Sequence, residues 1–275
     1  MITIPIAVHN PLFAWQLDLF WHAHRRTYGE EAHKLFWAAV ATRNRPEERA
    51  ATTPLGDAPQ ESFRPFFETI DTNGADPGVW VPLNIQVGLA HAIADFADHE
   101  IIEVCDCDML HFRPAPDMEA IPYDELWVAD IYEDWHLFSR GTNRHVIEQY
   151  LPPGADYNGG FVPIIGRART LRKVLPRWTE IHINILRRDL PTLLHWWAGM
   201  YALSAACACE GIRMVGRDFC YCPPINALQD HHYIGHYCVD ATVNKKAFDR
   251  IDWAALDRGS PYYGVVAEWH DGWQG

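Results

Sequence analysis

The chain has 275 residues, 48% hydrophobic and 13% aromatic, enough to bury a large core and unlike a disordered, collagen-like or coiled-coil composition. Thirty-six acidic residues against twenty-three basic ones leave a net charge of −13, which repels nucleic-acid phosphate and anionic lipid unless basic residues cluster. They do not cluster strongly: Arg25–Arg26 and Arg187–Arg188 are isolated doublets, and Arg167, Arg169, Arg172, Lys173 and Arg177 read as the solvated face of a helix. No run of about eighteen apolar residues exists to span a membrane, and Met1-Ile-Thr-Ile-Pro5 has neither a basic leader nor a long apolar core. The expectation is a soluble cytoplasmic protein. Seven Cys, an odd number unevenly spread, read as thiols in a reducing compartment.

In chain order, Met1 to His9 is an apolar, β-branched run that stops before Pro11, the signature of a buried first strand. Phe13, Leu17, Phe20, Trp21 and His24 recur at three- and four-residue spacing, which predicts a helix ending near Gly29. Leu35 to Ala41 supports a second strand, and the Pro- and charge-rich Arg43 to Gln60 a loop. A helix from about Leu83 to Phe96 precedes a compact strand at Ile101-Ile-Glu-Val-Cys105. Further strands are predicted at Leu126–Ile131, Phe161–Ile165, Ile212–Val215 and Phe219–Cys222, with helices at Arg167–Leu175 and Thr192–Glu210. Strands alternating with helices point to an α/β fold, a Rossmann-like, mostly parallel central sheet flanked by helices. No linker or repeat is visible, so residues 1–275 are expected to form a single domain.

The most informative segment is the strand that runs directly into Asp106-Cys107-Asp108. In open α/β sheets ligands bind just beyond the carboxyl ends of the strands. Residues two apart on an extended segment face the same way, so both carboxylates point together into that crevice. Hard oxygen ligands of this kind suit Mg²⁺ or Mn²⁺, which bridge nucleotide phosphates. The same pattern also starts turns at strand ends, because Asp readily bonds its own backbone. His9-Asn10 follows the first strand, where nucleotides often dock, although His9 could equally cap the next helix. His231-His232-Tyr233-Ile234-Gly235-His236 reads either as a surface loop or as a source of a late histidine ligand for a metal held by carboxylates.

Three Cys-x-Cys pairs, Cys105/Cys107, Cys207/Cys209 and Cys220/Cys222, invite a zinc or iron–sulfur reading. Cys207 and Cys209 fall in a predicted helix, where residues i and i+2 diverge, and metal pairs more often use Cys-x₂-Cys spacing. Buried structural thiols are the expectation. No Gly-x-Gly-x-x-Gly follows the first strand, and neither a Walker loop nor a Gly-x-Ser-x-Gly elbow occurs.

Taken in order, several short blocks resemble the GT-A-type hydroxyproline O-arabinosyltransferases and their relatives, the peptidyl serine O-galactosyltransferases. These are Trp15-Gln16, Pro82-Leu83-Asn84, Asp106-Cys107-Asp108 with Arg113-Pro114, Asn158-Gly159-Gly160-Phe-Val-Pro163, Pro176-Arg-Trp178, Trp197-Ala-Gly-Met-Tyr201-Ala202, Asp218-Phe219 with Pro223-Pro224, and His236-Tyr237. They span Ile4 to about Val239. The resemblance implies a GT-A-like glycosyltransferase using a nucleotide-sugar donor, of UDP type, with Mn²⁺ or Mg²⁺ at Asp106, Asp108 and His236. It places Trp15 and Gln16 by the nucleoside, Asn84 near the donor, and Asn158, Gly159 and Gly160 beside the sugar or acceptor. One departure stands out: the family carries a Glu where this chain has Gly199, so that carboxylate is missing or supplied elsewhere, for example by Asp189 or Glu210. The family's secretory anchor is also missing from this sequence.

The expected chemistry is transfer of a hexose or pentose to a hydroxyl acceptor on a peptide, glycan or small molecule. Arg113 or Arg217 are candidates to make the pocket locally cationic. The rival expectations are a nucleotidyltransferase on a related fold, and a non-catalytic carbohydrate- or thiol-metal-binding module on a decayed transferase scaffold.

Overall fold

A computed structural model of the chain describes residues 1–8, 11–41, 63–66, 84–130, 144–155, 160–191, 194–195, 197–222, 226–237 and 261–272. The elements run β1 (Ile2–Val8), α1 (Pro11–Tyr28), β2 (Ala38–Ala41), β3 (Phe63–Phe66), α2 (Asn84–Ala92), β4 (Ile101–Asp106), β5 (Met109–His111), β6 (Glu125–Ala129) and α3 (Arg144–Ile147). They continue with β7 (Phe161–Arg167), α4 (Ala168–Leu186), α5 (Ala198–Glu210), β8 (Arg213–Arg217), β9 (Cys220–Tyr221), β10 (Ile234–His236) and α6 (Pro261–Gly272).

The main sheet has the order β3-β2-β1-β4-β7-β6-β8. Every neighbouring pair is parallel except those made by β7, which runs antiparallel to both β4 and β6. The central strands β1, β4, β6 and β7 are buried as largely apolar runs, with Ile4, Ile102, Val104, Leu126, Val128, Ile164 and Ile165 all fully enclosed. That is the pattern of a sheet covered on both faces. A second, three-stranded sheet, β5-β10-β9, stands at the carboxyl edge of the first. Two short connections join them: Cys107-Asp108 between β4 and β5, and Asp218-Phe219 between β8 and β9.

α4 runs further than the sequence predicts. The expected helix spans Arg167–Leu175, and Pro176 follows it; a proline removes an intrahelical hydrogen bond and costs about 3 kcal/mol in a helix interior. The helix nevertheless continues to Leu186. Pro176 lies on the exposed face, whereas Trp178, Ile181 and Ile185 beyond it are buried. Each such side chain contributes about 1.5–3 kcal/mol of burial, which outweighs the lost bond. α5 is narrow, with Ala198, Gly199, Ala202, Ser204, Ala205 and Ala206 letting it pack closely on α4, and it ends at Gly211 in the left-handed conformation.

Other boundaries shift. Of the helix expected over Thr192–Glu210, Leu194 and His195 are helical and α5 runs from Ala198 to Glu210, while the strand expected from Leu35 is confined to Ala38–Ala41, preceded by a single bridge between Thr3 and Phe36. β6 stops at Ala129, short of Ile131. The strands β3, β5 and β10 and the helix α6 went unpredicted. The expected loop from Arg43 to Gln60 lies outside the described residues. α6 closes on α1: Trp269 donates its indole N–H to the Asp18 carboxylate at 2.8 Å and its ring lies 6.3 Å from that of Trp15.

Gly160 immediately precedes β7 with φ of +150°, and a Cβ there would lie 2.4 Å from Val128 Cγ2 and 3.0 Å from the Ala129 carbonyl oxygen. Both the conformation and the space demand glycine. Gly160→Ala is expected to cost about 2–3 kcal/mol, seen as a fall in Tm of roughly 5 °C or more in a circular-dichroism melt.

Candidate active site

The carboxyl ends of β4, β6 and β8 lie on one edge of the sheet, and each is followed or ended by an aspartate: Asp106, Asp130 and Asp218. β7 starts at the same edge, since Phe161 pairs with Ala129, and this brings Gly160 there as well. Of these acids the sequence reading named only Asp106 as a site residue: Asp130 fell inside the strand expected over Leu126–Ile131, and Asp218 follows an edge strand with exposed Arg213 and Arg217, which offers no buried run to read.

Asp106 is the last residue of β4, and Cys107-Asp108 forms a turn into β5. The two carboxylates therefore converge by way of a turn and not through the period-two alternation of an extended segment. The imidazole of His236 closes the group. Its Nε2 lies 3.1 Å from Asp108 Oδ1 and 3.9 Å from Asp106 Oδ2. One ligand atom from each of the three residues lies within 4.8 Å of the others. β10 is what delivers His236: it pairs antiparallel with β5, His236 opposite Met109, and the Tyr237 N–H donates to the Asp108 carbonyl at 3.1 Å. Asp108 and His236 are buried, whereas the Asp106 side chain keeps 32% of its surface. Two carboxylate oxygens and an imidazole nitrogen, close together and partly out of water, form a donor set suited to a divalent cation. The imidazole favours Mn²⁺ or another transition ion over Mg²⁺.

α1 supports the turn from the side. Gln16 is buried, and its Oε1 accepts from the Cys107 thiol at 3.3 Å, holding the middle residue of the turn away from the carboxylates. Trp15 points into an apolar cluster with Leu19, Tyr262, Val265 and Trp269, so its ring is packed beneath α6 with 6% of its surface exposed. Tyr237 belongs to the same cluster. Burial first, then the charges of Asp108 and Cys107, push its hydroxyl far above the ordinary phenol range, and that hydroxyl has no hydrogen-bond partner among the described residues.

Of the other residues singled out by sequence, Asn84 is the first residue of α2. His9, Asn10, Asn158 and Gly159 lie outside the described residues. Position 199 faces the interior of the helical layer: a Cβ on Gly199 would come 3.2 Å from His182 Cε1 and 3.7 Å from Gln86 Nε2. His182 is fully buried, which lowers its pKa to about 3, and it meets Gln86 at 2.9 Å. Trp178 donates to the Gly199 carbonyl at 2.8 Å. The glycine is therefore a packing position here. Glu210 lies 3.9 Å from Arg177 at the far end of α5, and Asp189 is exposed in the turn after α4. Arg113 donates to the Asp230 carbonyl, and the Arg217 guanidinium stacks 4.2 Å above the Trp127 ring.

A second group, Asp218, His231 and His232, also gathers three possible ligands. Asp218 Oδ2 lies 2.8 Å from His231 Nε2, and Oδ1 lies 2.7 Å from His232 Nε2. The hydrogen bonds dictate its chemistry. His232 Nδ1 accepts from the Gln229 N–H at 2.9 Å, so the proton of the neutral ring sits on Nε2 and is donated to Asp218. A metal on Nε2 would move that proton to Nδ1, where two N–H groups would face each other. This arrangement is a staple fastening the segment before β10 to the end of β8. Burial, the largest single effect, opposes the ionised Asp218, but the hydrogen bonds and charges of His232 and His231 together outweigh it and hold its carboxyl below the usual range.

The cysteines behave as packed thiols. Cys105 and Cys207 are fully buried, and burial drives both far above the ordinary thiol range. Cys207 and Cys209 lie on α5 as expected, with Cys207 inside and Cys209 exposed.

No protein-family model matches the sequence, and no curated protein matches it. Solved structures do. Two structures of the galactosyltransferase LgtC, one in complex with donor and acceptor sugar analogues and one an active-site mutant, align over 100% of this chain and 97% of theirs. Both give a TM-score of 0.50, at 12% and 11% identity. The chain has the GT-A-like α/β fold of that enzyme, with a parallel-rich central sheet flanked by helices.

Proposed function

We infer that the protein is a glycosyltransferase that moves a sugar from a nucleotide-sugar donor, of UDP type, to a hydroxyl acceptor. The observation that carries this is the meeting of Asp106, Asp108 and His236 at the carboxyl edge of a GT-A-like sheet. The finer likeness to hydroxyproline O-arabinosyltransferases and peptidyl serine O-galactosyltransferases rests on the order of short sequence blocks, and it accords with the placement of Gln16, Gly160 and His236 around that edge.

In this reading Asp106, Asp108 and His236 hold Mn²⁺, which when bound stabilises the departing diphosphate as a Lewis acid. The rest falls to the chain itself. Gln16 and Cys107 fix the turn that presents both carboxylates. β10 fixes the imidazole against Asp108. Gly160, without a side chain, lets the start of β7 pass close against Val128 and Ala129 on this same edge; bringing the acceptor hydroxyl toward the sugar there would supply much of the rate. Asp130, directly after β6 on the same edge, is a carboxylate we put forward for the role that the family's Glu would have at position 199.

Asp108→Asn is expected to lower donor hydrolysis, measured as UDP released from a UDP-sugar under Mn²⁺, by roughly a hundredfold or more, and to weaken Mn²⁺-dependent UDP binding. Unchanged turnover and affinity would remove the assignment. Release of pyrophosphate from a nucleoside triphosphate in the same assay would favour a nucleotidyltransferase instead. Asp218→Ala, which removes both acceptors of the staple and leaves the three ligands intact, is expected to shift Mn²⁺ affinity by less than about twofold while lowering Tm, since each hydrogen bond lost contributes about 0.5–1.5 kcal/mol.

A further inference from the structure

Three residues before Asp106, three after Asp108 and three before His236 stand Glu103, His111 and Tyr233. They meet in the interior. Glu103 is on β4, His111 ends β5, and Tyr233 directly precedes β10; all are buried to within 1%. Glu103 Oε1 accepts from the Tyr233 hydroxyl at 2.7 Å, and Oε2 lies 3.0 Å from His111 Nε2. Oε2 also accepts from the Thr3 hydroxyl of β1 at 2.8 Å. The Tyr233 ring stacks on that of His111, with centroids 6.0 Å apart. The Tyr233 carbonyl accepts from the Phe112 N–H at 2.9 Å, so the same residue is tied to β5 through its backbone as well. Burial alone would raise the Glu103 carboxyl, but the charge of His111 and hydrogen bonds from His111, Tyr233 and Thr3 outweigh it and hold the group below the ordinary carboxylate range.

We propose that Glu103 is a positioning residue for the cation site: it ties together the three segments that carry Asp106, Asp108 and His236, and so sets their spacing. The proposal rests on the metal-binding role assigned above to those three residues. A single carboxylate bonded to β5 and to the residue leading into β10 fixes where those strands stand relative to β4. The ligands lie one short step along each strand from that anchor. Shells of this kind orient ligands, and their loss typically weakens metal binding by about 10–100-fold.

Thr3 supplies the control. It bonds the same carboxylate, but from β1, which carries none of the three ligands. Tyr233→Phe and Thr3→Val each remove one hydroxyl from Glu103. Mn²⁺ titration followed by electron paramagnetic resonance of the free ion, on proteins shown folded by near-ultraviolet circular dichroism, is expected to show about a tenfold or greater loss of affinity in Tyr233→Phe. Thr3→Val is expected to stay within twofold of the parent, although both variants lower Tm. Equal affinities for the two variants would reduce Glu103 to a structural role and overturn the proposal. Should Tyr233→Phe not fold, Glu103→Gln, which keeps the side-chain volume, is read in its place with the same two outcomes. Asp108→Asn in the same titration separates the two levels. If it leaves Mn²⁺ affinity intact, the metal-binding role falls and the proposal with it; if it abolishes binding while Tyr233→Phe matches Thr3→Val, only the positioning role falls.

Discussion

Two aspartates drawn within a few ångströms of each other at the end of a buried strand repel. At an effective dielectric constant of about 20, unit charges 4.8 Å apart oppose one another by about 3.5 kcal/mol, a figure that solvent at the more exposed Asp106 reduces. A fold does not keep such a pair together unless something offsets it. Here the offset is in part local, the His236 imidazole set against Asp108. On the function proposed above, a bound cation would offset more of it. The surrounding architecture holds the pair in place: a two-residue turn swings the second carboxylate round, the middle strand of the small sheet brings His236 back to it, and a glutamine accepts from the intervening thiol.

The sheet and its orientation were legible because their cause is repetitive. Strands that read as largely apolar runs, such as Ile101–Cys105 with Glu103 its one polar residue, bury on both faces, and their alternation with helices leaves few topologies open. The pair of aspartates was legible for the same reason, as it interrupts such a run. The small sheet was not. β5, β9 and β10 are two or three residues each, too short for any period to show, and they exist because of pairing between segments more than a hundred residues apart. His236 was found as one possibility within a histidine-rich stretch, yet nothing local distinguished it from His231 and His232. The distinction lies in what each second ring nitrogen and each neighbouring carboxylate does, and this is a property of the assembled structure. α4 running through Pro176 has a similar cause: the deciding energy comes from α5, which the local sequence of α4 does not contain.

Gly199 illustrates a different limit. Against the family pattern it stands out as the loss of a carboxylate, and the natural question is which acid replaces it. In the structure the position faces His182 and Gln86, with Trp178 bonded to its carbonyl, and a Cβ there would require the His182 ring to give by a few tenths of an ångström. The substitution is thus a rearrangement of a helical layer as much as a change at a reacting centre. Asp130 and Asp218, which arise from neighbouring strand ends, show how a parallel sheet offers several equivalent posts for an acidic group along one edge. Asp218 is engaged in holding a segment in place, while Asp130 stands beside Gly160 at the start of β7.

The hydrogen bond from Trp269 to Asp18 spans 251 residues of chain. During synthesis at about 5–20 residues per second, the face of α1 that bears Trp15 and Leu19 leaves the ribosome roughly 10–50 s before its covering helix is made. For that interval the nascent protein carries an uncovered aromatic stripe. Burial of the Trp15 and Leu19 face is therefore tied to the arrival of α6.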